Sequence, residues 1–137
     1  MTPKQIDIIE ETWDFVITNT EEAGQLFYDR LFKESPELRS LFKGDMKDQE
    51  RKLISLITFA VSKLRNIDEI IDDVRALGTR HKHYGVKDDY YTNVASALLW
   101  TLEQGLGNKW TAEVKEAWTT LYMALADIMT KAPAGRS

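Results

Sequence analysis

The 137-residue chain carries 22 acidic and 18 basic side chains, a formal charge of −4, and no cysteine. One domain of ordinary size fits this length and can bury a sizeable core without covalent staples, while disulfides, zinc ribbons, iron–sulfur clusters and thiol nucleophiles are excluded together. The acidic balance and the lack of a long Lys/Arg run argue against nucleic acid as a partner, and no apolar stretch approaches the roughly 18 residues that would suggest a membrane span.

The start, Met1-Thr2-Pro3-Lys4-Gln5, has no apolar region of the kind a secretory signal needs. The expectation is a soluble cytoplasmic protein without membrane or nucleic-acid partners, with no room for a flavin or nicotinamide domain beside a domain of ordinary size.

Seven helical segments are predicted. Thr2 reads as an N-cap, Pro3 as the first helical residue and Gln5 as the partner of Thr2 in a capping box. Ile6, Ile9, Trp13 and Val16 then recur at intervals of three and four, the stripe of one helix face. The second segment covers about 20–34, with Leu26, Phe27 and Leu31 inward. Ser35-Pro36 ends it and opens a short third segment leading to Leu38, Leu41 and Phe42.

Lys43-Gly44-Asp45 reads as a turn. The fourth segment covers about 47–64, with Leu53, Ile57, Ala60, Val61 and Leu64 on one side. Asn66 can cap the fifth, whose stripe is Ile67, Ile70, Ile71, Val74 and Leu77, and Gly85 stops it. The sixth covers about 87–106 (Tyr91, Val94, Leu98, Leu102) and closes at Gly105-Leu106-Gly107. Thr111 starts the seventh, with Val114, Trp118, Leu121, Leu125 and Ile128 inward; residues 131–137 read as a frayed tail. No segment alternates apolar and polar residues, and the intervals are too irregular for heptads. The fold class expected is all-α, in one domain over 1–137.

His81 and His83 are the two histidines of the chain. The fifth stripe steps from Val74 to Leu77 to His81, so His81 points inward, and His83 lies about 200° round the helix from it, toward solvent. A core histidine satisfied by hydrogen bonds would show the same spacing. A zinc site would need carboxylates, which fall mostly on outer faces. No Gly-Xaa-Ser-Xaa-Gly elbow and no Gly-rich phosphate loop is present. A lone inward imidazole can instead be the single protein ligand of a cofactor that brings its own four nitrogens.

The segment Leu77-Gly78-Thr79-Arg80-His81-Lys82-His83-Tyr84-Gly85-Val86 resembles the proximal segment of globins. Leu26-Phe27-Tyr28-Asp29-Arg30-Leu31-Phe32, with Pro36 and Leu41-Phe42 after it, resembles their second helix and the corner that carries the globin phenylalanine. Gln49-Glu50-Arg51-Lys52-Leu53 resembles the start of the distal helix, and Trp118 and Tyr122 fit the last one. The order is collinear over about 3–130. It is similar to single-domain bacterial haemoglobins, the globin part of flavohaemoglobins and neuroglobin-type sequences.

The resemblance implies a globin fold around haem b (iron protoporphyrin IX). His81 would be the metal ligand through Nε2, with Nδ1–H held by a backbone carbonyl or another acceptor. Phe42 would pack on the porphyrin, and Val86 would close the proximal segment. Tyr28, Gln49 and Leu53 would surround the sixth coordination position, Leu53 as a steric wall. Dioxygen bound at ferrous iron gathers negative charge that a phenol O–H and an amide N–H can meet, whereas carbon monoxide polarises less.

Lys52 and Arg80 would reach haem propionates; the rival role for Lys52 is a neutral sixth ligand. With Gln at the distal position and His83 turned outward, ligation by two histidines is not expected. Tyr91 matches the tyrosine that flavohaemoglobins hold near the proximal ligand, but their partner glutamate aligns near Pro133 and is missing.

The leading functional expectation is reversible binding of dioxygen, carbon monoxide and nitric oxide at a five-coordinate iron, in storage or oxygen transport, by a monomer or weak homodimer. Nitric oxide detoxification by dioxygenation is the enzymatic rival and would require an external reductase. A haem-based gas sensor is weakened by the lack of an output segment in this sequence. A haem-less globin-like module is weakened by the joint presence of His81, Phe42, Tyr28 and Gln49.

Overall fold

The computed structural model describes residues 1–133. Its first helix, α1 (Pro3–Asn19), opens on the expected capping box: Thr2 Oγ1 accepts from the Gln5 N–H at 3.1 Å and Gln5 Oε1 accepts from the Thr2 N–H at 3.0 Å. Its stripe of Ile9, Trp13 and Val16 is buried. Helix α2 (Ala23–Glu34) starts three residues later than expected, because Thr20 closes α1 instead, in extended conformation with its N–H on the Val16 carbonyl. Phe27, Tyr28 and Leu31 form its buried side, while Leu26 is half-buried.

The short third segment is a 3-10 helix over Pro36–Leu41, opened by the proline. Helix α3 (Met46–Ser62) is capped by the Asp45 carboxylate, which accepts from the Lys47 N–H at 3.0 Å.

The fifth segment differs from the expected single helix. Asn66 adopts non-helical backbone angles (φ −137°, ψ 48°) within a 3-10 stretch over Leu64–Ile70, and helix α4 (Ile71–His83) begins only after it. Side chains three apart eclipse in a 3-10 turn, so Ile67 and Ile70 share one side as they would on an α-helix, and the apolar pattern alone does not separate the two.

Gly85 (φ +91°) carries the chain out of α4. Helix α5 (Tyr90–Leu106) ends at Gly107 (φ +55°), a backbone region that side chains with a Cβ disfavour. Helix α6 (Ala112–Thr130) is capped by Thr111 Oγ1, which accepts from the Val114 N–H at 3.2 Å. Of the segment read as a frayed tail, residues 131–133 are described and Ala132 is buried; 134–137 lie outside the described residues. None of the described helices is long and apolar enough to cross a membrane.

One core gathers Ile9, Trp13, Val16, Leu102, Leu106, Trp118 and Leu121 between α1, α5 and α6. Burying these side chains stabilises the fold by about 1.5–3 kcal/mol each for the aliphatic ones. The two indoles meet at 5.8 Å between ring centroids, and both ring N–H groups are bonded: Trp118 to Thr12 Oγ1 at 2.9 Å and Trp13 to Thr58 Oγ1 at 3.0 Å. A second core holds Phe27, Tyr28, Leu31, Leu38 and Ala97 between α2 and α5.

Helices α3 and α4 are bound differently. Helix α3 packs on α2 and α1, and α4 on α6. Each buries a single residue, Val61 in α3 and Gly78 in α4. Val74 and Leu77 of α4 are half-buried and join neither core, and Leu56 and Phe59 of α3 stay exposed. Apolar side chains left partly uncovered in this way favour another apolar body beside them.

Candidate functional site

His81 lies in the last turn of α4, on the stripe that begins with Val74 and Leu77. Its Nδ1 is 2.8 Å from the carbonyl oxygen of Leu77, one turn back. A carbonyl only accepts, so Nδ1 carries the proton and the neutral ring presents a lone pair at Nε2. Nε2 has no partner among the described residues. Burial drives the imidazole below its ordinary pKa, partly opposed by the Leu77 bond and helped by the neighbouring Arg80 charge. The ring is therefore held neutral, with one nitrogen fixed and the other available.

The turn after α4 keeps this end in place. The Val86 N–H donates to the His81 carbonyl at 2.9 Å, and a Cβ on Gly85 would lie 4.0 Å from Leu41. That proximity sets the 84–86 turn beside the corner carrying Phe42. Tyr91, in the first turn of α5, stands with its ring centroid 6.4 Å from that of His81. Its carbonyl accepts from the Tyr122 hydroxyl at 2.6 Å, tying α5 to α6 behind the histidine. Burial raises the pKa of both phenols, so both keep their protons.

Tyr28, Phe42 and Leu53 come together in the second core. Phe42 meets Tyr28 edge to face at 5.3 Å, and Phe32 packs on both, at 5.8 Å from Tyr28 and 5.5 Å from Phe42. The Tyr28 ring is 7% exposed, and burial, then the Glu50 charge, pushes its pKa up to about 12. Its hydroxyl makes no hydrogen bond among the described residues, yet it is not sealed off. A buried ring with an unspent O–H is a donor waiting for an acceptor.

Gln49 is half-buried one turn before Leu53 on α3, and its side chain has no partner among the described residues. His81 is half-buried as well. Lys52 and Arg80 are exposed and make no ion pair with a described carboxylate, so both are free to reach an anion; His83 is exposed, as expected.

The sequence reading passed over Phe32 and Lys82. Phe32 sits four residues after Tyr28, a spacing that could have revealed it. The Lys82 ammonium donates to the carbonyls of Thr130 and Ala132 at the end of α6, and nothing local signals that contact.

The globin family profile matches residues 25–129. The chain belongs to the globin family. This globin is 30% identical over 127 residues to a flavohemoprotein from Bacillus subtilis, a match that takes in 90% of the chain but spans only 32% of that relative's length. It is 28% identical to a neuroglobin from Tetraodon nigroviridis, covering 96% of the chain and 91% of the neuroglobin. A bacterial globin from Campylobacter jejuni superposes with a TM-score of 0.78 at 25% identity, over 95% of this globin and 97% of the other.

The family binds haem, and the side chains of this globin fit one. They offer a neutral imidazole whose Nε2 has no partner among the described residues, the half-buried Val74 and Leu77 on α4 and a half-covered α3. They add a buried phenol and two surface cations, Lys52 and Arg80, none of which has a side-chain partner among the described residues.

Proposed function

We propose that this globin binds haem b through Nε2 of His81 and reversibly takes up dioxygen, with Tyr28 and Gln49 as hydrogen-bond donors to the gas. The observation that carries the proposal is the state of His81: Nδ1–H bonded to Leu77, and Nε2 without a partner among the described residues, beside Val74 and Leu77, which join neither core. Haem, when bound, supplies the ferrous iron at which dioxygen, carbon monoxide and nitric oxide are taken up.

The residues then divide the work. The Leu77 carbonyl holds the Nδ1 proton and with it the orientation of the imidazole. Tyr28 keeps its proton far above neutral pH and so offers a donor at Oη, while the Gln49 amide offers a second. Leu53 and Phe42 exclude water with apolar surface. Lys52 and Arg80 hold carboxylates of the cofactor at the surface. With His83 facing outward, no second histidine is at hand as an axial ligand, which supports five-coordination at rest.

A second reading is nitric oxide dioxygenation, the enzymatic alternative that the resemblance to flavohaemoglobins implies. It requires an electron donor to restore the reduced state after each turnover. Sustained nitric oxide consumption with an added flavin reductase and nicotinamide would support it; a single stoichiometric burst under those conditions would reject it.

Optical spectra of the purified protein in ferric, ferrous and dioxygen-exposed forms test the main reading. A Soret band is expected, with a five-coordinate ferrous form and a stable dioxygen adduct. His81→Ala should abolish the band or make it depend on added imidazole. An unchanged spectrum in His81→Ala would overturn the assignment.

A further inference from the structure

We propose that Lys82 is a positioning residue for His81, acting by clamping the end of α4 onto the last carbonyls of α6. The proposal rests on the reading of His81 as the iron ligand. The last carbonyls of a helix have no partner inside it and carry partial negative charge. At this end of α6 the carbonyl of Thr130, its last residue, and that of Ala132, just past the helix, accept from the Lys82 ammonium. Lys82 makes no bridge to a described carboxylate, so its charge is given to this helix end. Ala132 is 3% exposed and Lys82 half-buried, so the contact is partly shielded from water, which strengthens it.

Two further contacts fall on the same side of α4. Gly78 lies directly on the backbone of Met129, and Thr79 Oγ1 donates to the Pro133 carbonyl at 2.8 Å. Residues 78, 79 and 82 are spaced three and four apart, one helix face, and His81 sits on the adjoining one. Helix α4 packs on α6 and on the 3-10 stretch before it, so this clamp acts together with the 84–86 turn on the end bearing His81. His81 and Leu77, joined through Nδ1, move with α4 as one piece. The height and tilt of the imidazole are then set by where α6 ends, through Lys82, rather than by packing around the ring itself.

The test compares the full-length protein as wild type, Lys82→Met, Lys82→Arg, Thr79→Val and, as a surface control, Lys115→Met. Two readouts are taken: amide hydrogen exchange along α4, and the iron–histidine stretching band of the haem-loaded ferrous form. Lys82→Met is expected to speed exchange over residues 79–83 roughly tenfold or more, the weight of a lost charge-assisted hydrogen bond, and to broaden and shift the band. Lys82→Arg should restore most of both effects, Thr79→Val should show them at smaller size, and Lys115→Met should show neither. If Lys82→Met does not fold, Thr79→Val carries the same comparison. Faster exchange with an unmoved band would reduce Lys82 to a stability contact and overturn the proposal, as would no change in either readout. A wild-type protein that takes up no haem would overturn the reading of His81 itself, whereas a haem-loaded wild type with an unshifted Lys82→Met band would overturn only the role of Lys82.

Discussion

Gly78 and Met129 touch backbone to backbone: a Cβ built on Gly78 would stand 2.4 Å from the Met129 carbonyl oxygen and 2.6 Å from its Cα. Neither atom belongs to a side chain that could swing away, so α4 and α6 approach each other only because residue 78 has no Cβ. Alanine ordinarily favours a helix over glycine by about 1 kcal/mol. Here the clash reverses the sign, and Gly78→Ala should destabilise by about 1–3 kcal/mol net. Gly44 has nothing within 4 Å of its own Cβ position, so Gly44→Ala should stay within about 0.5 kcal/mol of wild type. Urea denaturation midpoints of the two variants give the comparison; equal midpoints would remove the close approach from the account.

Tyr28 makes stability fall at alkaline pH. Its pKa rises from 10.0 unfolded to about 12 folded, so the folded state favours the protonated phenol. Stability from this group is fully present below pH 10 and is lost as pH climbs toward about 12. Two pH units of difference correspond to about 2–3 kcal/mol. Ultraviolet difference titration of the folded protein should show one fewer late-ionising phenol in Tyr28→Phe. The variant should also lose less stability than wild type across that interval. A Tyr28 that ionised near its unfolded value of 10.0 would contradict its burial.

Much of this arrangement is legible in the sequence where the governing interaction is local. The capping box of Thr2 and Gln5, the Thr111 cap and the stop at Gly107 are short-range chemistry, and each appears as expected. The inward direction of His81 follows from counting three and four along one face. The 3-10 character of Leu64–Ile70 was not legible, because isoleucines three apart suit both helix types. Spacing alone does not name the partner of the His81 Nδ1, which is the Leu77 carbonyl one turn back. Lys82 was out of reach for a different reason: its acceptors lie 48 and 50 residues away, and a lysine after an inward histidine looks like any solvated charge.

Lys52 and Arg80 stand exposed and unpaired among the described residues, and that position discriminates between two roles for Lys52. If it pairs with a propionate at the surface, Lys52→Met should speed haem loss only about two- to fivefold, the weight of an exposed ion pair. The ferric spectrum should stay unchanged. If it ligates the iron when neutral, the wild-type ferric spectrum should turn low-spin at alkaline pH and Lys52→Met should abolish that change. The exposure of the side chain favours the first outcome, and stopped-flow haem transfer with a pH series distinguishes them.

The two distal donors should act on dioxygen more than on carbon monoxide. A hydrogen bond to a group carrying charge contributes about 1.5–3 kcal/mol, which is roughly 10- to 150-fold in affinity. Among the described residues the Tyr28 hydroxyl has no partner, so no protein hydrogen bond among them is broken when it turns to the gas. Tyr28→Phe and Gln49→Leu should each raise the dioxygen dissociation rate within that range. Carbon monoxide, which polarises less, should show a much smaller change. The edge-to-face contact between Tyr28 and Phe42 gives a control: Phe42→Leu loosens the ring without removing the donor, and should shift both gases by similar factors. Off-rates for dioxygen unmoved in both Tyr28→Phe and Gln49→Leu would remove these residues from the site while leaving His81 in it.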